Sequence, residues 1–187
     1  MSDKRKRSRN RRDDDEPQRP NVNPRRVAFD AISAVTADNA YANLVLPRML
    51  AETDNTGRDA ALATELTYGT LRSLGTLEAI LAAASGRDVR ELDQNLVDAL
   101  CLGTYQLLYM RIPPHAAVAT TVSLVKAAVS PRVSGLANAV LRKVAAKDLD
   151  QWADELATGD RIADLSLRYA HPRWITEEFE AVVGPDE

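Results

Sequence analysis

Apolar positions recur at helical spacing from Pro24 to Val183, and no segment alternates polar and apolar residues as a strand would. Asn23 is placed to cap a first helix with Pro24 at its first position. Val27, Ala28, Ala31, Ile32 and Val35 then share one face. A second stripe (Leu44, Val45, Leu46, Met49, Leu50) runs through 41–51, where Pro47 is predicted to open the second half of a broken helix. The polar run 52–57 reads as a loop. Residues 58–84 carry the longest apolar period, interrupted by Gly69 and Gly75. Each glycine costs about 1 kcal/mol against alanine in a helix interior. Two consecutive helices are therefore predicted, with close helix approach at Gly69 and a break near Gly75. SGRD at 85–88 is a stop. Residues 93–110 are apolar almost all round, the mark of a central core helix. Pro113-Pro114 opens a helix over 114–129, and Ser130-Pro131 ends it. Further helices are expected at 132–146, 149–156 and 161–169, and from His171-Pro172 to Val183. The pattern predicts an all-α globular bundle of about nine helices.

Composition sharpens that picture. Hydrophobic residues make up 45% of the 187, but aromatics only 5%. Strand-favouring types are therefore scarce, against a β-sandwich. No apolar run approaches the ~20 residues of a membrane span. No apolar region follows the basic start, so no secretory signal is expected. The expected location is the cytoplasm, with no membrane partner. One cysteine, Cys101, excludes an internal disulfide, and two histidines make a metal centre unexpected.

Charge is uneven. The net charge is −3, but residues 1–26 hold ten basic and five acidic residues, while 27–187 hold fourteen basic and twenty-two acidic. Residues 1–23 are read as a disordered basic and acidic arm, too poor in apolar groups to offset ordering entropy. Lys4, Arg5, Lys6 and Arg7 in it, with Arg25 and Arg26 just after, are candidate phosphate contacts. In the acidic body, Arg72, Arg111, Arg142 and Lys143 are either surface charges paired with carboxylates or parts of a docking face.

Catalytic chemistry is not indicated. There is no phosphate-binding glycine loop, no G-x-S-x-G and no H-E-x-x-H. Cys101 sits mid-stripe on the most apolar helix and reads as a small buried hydrophobe. His115 reads as an exposed helix-start residue, and Tyr68 and Tyr105 as core or boundary aromatics. No residue is assigned a catalytic role.

Several stretches resemble a known family. They are Arg26-Val27-Ala28, Tyr41-Ala42-Asn43-Leu44, the run ATELTYGTLR from Ala63 to Arg72, IPPHAAV from Ile112 to Val118, Val122 to Ala127, and GLANAVLR from Gly135 to Arg142. They are similar to the NusB-type helical domain at the front of RsmB-type ribosomal RNA cytosine-5 methyltransferases. The segment RYAHPRW, Arg168 to Trp174, resembles the linker toward the catalytic part of those enzymes.

The resemblance implies a NusB-like antitermination fold. It also implies an RNA-binding accessory domain over 24–160, with linker helices at 161–187 leading toward a methyltransferase domain absent from the chain. His171, Arg173 and Trp174 are then candidates for packing between domains. The implied partners are ribosomal RNA and that missing domain. The parent enzyme would use S-adenosylmethionine and two cysteines. This chain has a single cysteine and no room for the cofactor fold, so it is expected to hold no cofactor and not to be an enzyme by itself. Two alternatives remain at this point: a free-standing antitermination adaptor that binds RNA and a ribosomal protein, and a packing module that never touches RNA.

Overall fold

A computed structural model describes residues 20–184. It contains ten α-helices and no strand among the described residues. They are α1 (Pro24–Asp38), α2 (Ala42–Ala51), α3 (Gly57–Arg72), α4 (Leu74–Ser85), α5 (Gln94–Leu108), α6 (Pro114–Ala128), α7 (Ser134–Val144), α8 (Leu149–Glu155), α9 (Arg161–Tyr169) and α10 (Arg173–Val183). Short 3-10 turns at Val89–Glu91 and Pro131–Val133 precede α5 and α7.

Side-chain caps set four of the ten starts. The side chains of Asn23, Asp93, Asp148 and Asp160 accept backbone N–H bonds at the beginnings of α1, α5, α8 and α9. Each such cap is worth about 1 kcal/mol. Gly86, with φ of +69°, ends α4.

Helix α5 is the axis. Every residue from Leu96 to Gln106 is buried, and α1, α3, α4, α6 and α7 pack around it. The main core joins Ile32, Leu66, Leu77, Ile80, Leu100, Leu102, Val125 and Leu141. A smaller cluster (Val27, Ala31, Leu46, Ala63) ties α1 to α2 and α3. Two glycines set the approach distances. A Cβ on Gly69 would run into the Tyr105 ring, and one on Gly103 would lie 2.7 Å from Thr121 Cγ2 and 2.9 Å from Leu141 Cδ2. The first confirms the close approach expected at Gly69; the second lets α6 and α7 both close on α5.

Three expectations are corrected. Pro47 does not break α2. The carbonyl its missing N–H leaves free is that of Asn43, and both residues are exposed, so water satisfies it. The joint between α3 and α4 falls at Ser73, not Gly75, which lies inside α4. Ser73 still donates to the Gly69 carbonyl at 3.1 Å and accepts from Leu77 N at 3.0 Å, so the joint is tight. Finally, Pro172 is the residue before α10 rather than its first, and the helices number ten rather than nine.

Helices α9 and α10 differ from the rest. Helix α9 packs on α4 and α8, and α10 packs on α9. No α9 residue is buried, and α10 buries only Thr176. Attachment is mostly polar. Thr76 Oγ1 donates to the Leu167 carbonyl, Ser166 Oγ to Thr176 Oγ1, and Arg168 pairs with Asp150 and Asp154 of α8.

Candidate nucleic-acid interface

The six candidate cations within the described residues separate into groups. Lys4, Arg5, Lys6 and Arg7 lie outside the described residues. Arg25 and Arg26 stand on the first turn of α1. They line a groove of about 360 Å³ whose other wall is α6, at Ala119, Thr120, Ser123, Leu124 and Ala127. On the other side of α6, Pro114, His115, Val118 and Ala119 form a second groove with Asn138, Arg142 and Ala145. Ala119 belongs to both. Arg25 and Arg142 therefore flank one exposed strip of α6, and Lys143 stands exposed next to Arg142 on α7. Small side chains along the strip let a backbone come close.

This face is electrostatically uniform. From residue 99 to residue 147 the sequence holds six basic residues and no aspartate or glutamate. That stretch comprises most of α5 and all of α6 and α7. Arg111, Lys126, Arg132, Arg142 and Lys143 in it have no ion pair among the described residues, and Lys147 alone pairs, with Glu155. Arg142 Nε donates instead to Asn138 Oδ1 at 3.3 Å. The N-terminus of α6, opened by Pro114, adds its partial positive charge beside Arg142. Sequence reading missed Lys126 and Arg132. The signal that finds them is the acid-free run itself, hidden when charge is counted as arm against body.

The other candidates lie elsewhere or are occupied. Arg26 is paired with Asp30, its Nε 2.8 Å from both carboxylate oxygens, and its guanidinium lies 5.9 Å from the Phe29 ring centre. Arg111 is exposed in the turn before α6. Arg72 is away from this face, at the end of α3, in a cleft shared with Ala163, His171 and Arg173. Beside it, Tyr105 donates to Glu65 at 2.5 Å and stacks on Tyr109 with ring centres 5.1 Å apart. Burial first, and then the Glu65 bond, push the Tyr105 phenol up to about 12, against the opposing charge of Arg72.

The residues expected to pack between domains sit on α10 or just before it. Arg173 is engaged by Asp160 and Glu177. His171 lies against Phe179, ring centres 6.2 Å apart. Trp174 is 65% exposed, in company with Tyr169 (62%), Phe179 (58%) and Val182 (83%). Four such side chains on two adjacent short helices form an uncovered apolar face.

No group of three or more metal-ligating side chains occurs among the described residues. Cys101 is fully buried, and burial holds its thiol well above the usual range, with Glu78 and Asp98 adding to the effect. It is a core residue. Buried Asp98 accepts from Ser33, Thr36 and Gln94 at 2.8–2.9 Å, which latches α1 to α5. No helix among the described residues is long and apolar enough to cross a membrane.

Comparison with known proteins defines the class. The NusB family model matches residues 22–146, which spans α1 to α7. The chain belongs to the NusB family. Among relatives, it is 46% identical over 172 residues to a Mycobacterium tuberculosis protein with a provisional methyltransferase name, covering 90% of this chain and 38% of that one. It is 35% identical over 160 residues to ribosomal RNA small subunit methyltransferase B of Pseudomonas putida, covering 86% and 35%. The corresponding protein of Klebsiella pneumoniae is 34% identical over the same length, again covering 86% and 35%. The chain thus spans little more than a third of the length of these relatives.

Proposed function

We propose that this chain is the RNA-binding accessory domain of an S-adenosylmethionine-dependent 16S ribosomal RNA cytosine-5 methyltransferase. In this reading it positions ribosomal RNA for a catalytic domain carried elsewhere in the enzyme. The observation that supports it most is the acid-free basic run of α6 and α7, flanked by Arg25 of α1, on an otherwise acidic body. Phosphate binding needs a local positive field rather than a positive total. Arg25, Arg142 and Lys143 supply it, with Lys126 and Arg132 added to the residues first expected. The arm with Lys4, Arg5, Lys6 and Arg7 acts as a further tether. The domain proper runs over 24–160, and 161–187 links to the catalytic part, whose surface covers Tyr169, Trp174, Phe179 and Val182. S-adenosylmethionine is held by that catalytic part, in the cytoplasm.

The test is RNA binding by residues 1–187 across a salt series, using a 16S ribosomal fragment and an unrelated duplex. Neutralising Arg142, Lys143 and Lys126 together as glutamine is expected to weaken binding and flatten the salt dependence by roughly one unit for each phosphate left without its cation. Neutralising Arg58, Arg87 and Arg90, which lie outside α1, α6 and α7, is expected to change little. Equal effects from both triple variants, or no binding by the parent chain, overturn the reading. A packing module without RNA contact remains favoured by one observation alone, the uncovered face of α9 and α10. Absence of RNA binding by the parent chain would support that alternative.

A further inference from the structure

Arg25 is unlike the other arginines of the body. Its side chain is half buried, yet no carboxylate pairs with it among the described residues. Its Nε donates to Gln106 Oε1 at 2.7 Å, across 81 residues of sequence. Burial lowers its pKa with no counter-charge to raise it. A partly desolvated cation without a counter-ion is costly, and the fold retains it. By contrast Arg26, one position later, is fully matched by Asp30.

Gln106 is itself wholly buried, in the last turns of α5. Its amide nitrogen donates to the Leu102 carbonyl at 3.2 Å and to Thr121 Oγ1 at 3.4 Å. Arginine has only donors, so the face toward Arg25 must be the amide oxygen, and the two acceptors on the far side fix that orientation. The amide therefore holds the guanidinium by one edge. Its Nη donors find no acceptor among the described residues, and Arg25 lines the α1–α6 groove.

The rest of the groove has matching chemistry. Asn23 uses its Oδ1 to cap Arg25 N, which leaves its amide N–H groups free. Ser123 is exposed with its hydroxyl uncommitted among the described residues. Asn23, Arg25 and Ser123 thus line one groove of about 360 Å³.

We propose that this groove seats one RNA phosphodiester, with Arg25 as the contact and Gln106 as the residue that positions it. The proposal rests on the RNA-binding reading above and names its anchor. It also makes a prediction that a diffuse basic surface does not. A buried side chain that never reaches RNA should matter for affinity.

The experiment uses the full 187-residue chain, fluorescence anisotropy with a 16S fragment over a salt series, and thermal melts of every variant. Arg25→Gln is expected to lose roughly tenfold in affinity and about one unit of salt slope, the effect of leaving one phosphate unneutralised. Arg25→Lys should recover only part, because a lysine cannot hold Gln106 and a phosphate by separate edges. Gln106→Leu, which keeps every charge, should weaken RNA binding severalfold and leave Arg58→Gln as the unaffected control. Gln106→Met provides a second variant if the leucine form melts early. If parent RNA binding is intact while Gln106→Leu and Gln106→Met bind as the parent does, the proposal fails and the broader reading stands. It fails in the same way if Arg25→Gln is no worse than Arg58→Gln. Inorganic phosphate is the second arm. If Arg25→Gln abolishes stabilisation by phosphate but leaves RNA affinity unchanged, the groove is a small-anion site, and the proposal is overturned.

Discussion

Gly69 lies in the ELTYGTLR stretch, and the structure assigns it a mechanical task that can be measured. In Gly69→Ala the new methyl would stand 2.1 Å from the Tyr105 ring carbon bearing the hydroxyl, 2.1 Å from the hydroxyl oxygen and 2.6 Å from Cε1. A ring so placed cannot yield by a few tenths of an ångström, because it is stacked on Tyr109 and anchored to Glu65. Over-packing of this kind costs about 1–3 kcal/mol. Displacing the ring also forfeits the hydrogen bond to Glu65, worth about 1 kcal/mol. Against this, alanine in a helix interior recovers up to ~1 kcal/mol. The balance is a loss of about 1–3 kcal/mol, or roughly 2–12 °C in Tm for a chain of this size. Urea unfolding and a thermal melt measure it. In a Tyr105→Leu background the same substitution should cost less, so the two changes should couple by about 1 kcal/mol or more. A Gly69→Ala protein as stable as the parent, with unchanged tyrosine near-ultraviolet dichroism, would refute the reasoning.

Three further outcomes are expected. The Cys101 thiol should be inert to a thiol-reactive disulfide reagent in the native protein and react only at the rate of unfolding, since it is buried and its pKa is raised. Asp160 and Asp164 are held below the usual aspartate range, Asp160 first by its bond from Arg173 and Asp164 first by the Thr158 N–H. A depressed acid contributes stability above its unfolded value near ~3.9 and loses it as pH falls through the folded value. Hydrogen exchange in acid should therefore release α9 and α10 before α5. Finally, Val182→Lys should leave the melt unchanged, because Val182 is 83% exposed. On the proposed reading it should nevertheless weaken association with a separately produced methyltransferase portion.

Local signals made the fold legible. Asn23-Pro24, Asp93, Pro113-Pro114 and Ser130-Pro131 punctuate helices through backbone chemistry that acts within a few residues, and the helix boundaries fall near them. The all-round apolar character of 93–110 identified the axis correctly. Errors arose where solvent or a neighbour decides. Pro47 is tolerated because the Asn43 carbonyl it leaves unpaired is open to water, a matter of exposure that periodicity does not carry. Leu44 counted as apolar stripe but is 66% exposed. The candidate interface was half legible. Arg25, Arg142 and Lys143 were named from sequence, but Gln106 was not, because its significance comes from a contact made across the bundle. A glutamine in the most apolar helix is a cue to look for such a contact, since a buried amide must find partners.

The separation of charge also answers how an acidic protein can hold RNA. Residues 148–187 carry three basic and eleven acidic residues. The three cations, Arg161, Arg168 and Arg173, are all committed to carboxylates. A phosphate backbone approaching α8, α9 or α10 therefore meets uncompensated negative charge. The same backbone approaching α6 and α7 meets only cations. Repulsion on one side and attraction on the other restrict the orientations in which a polyanion can dock, which a uniformly basic domain would not do. In the proposed reading, the face left for RNA lies on α6 and α7 beside Arg25 of α1. The apolar face left for a protein lies on α9 and α10. In the proposed enzyme, the negative charge on α8, α9 and α10 keeps the RNA from competing with the catalytic domain for its own seat.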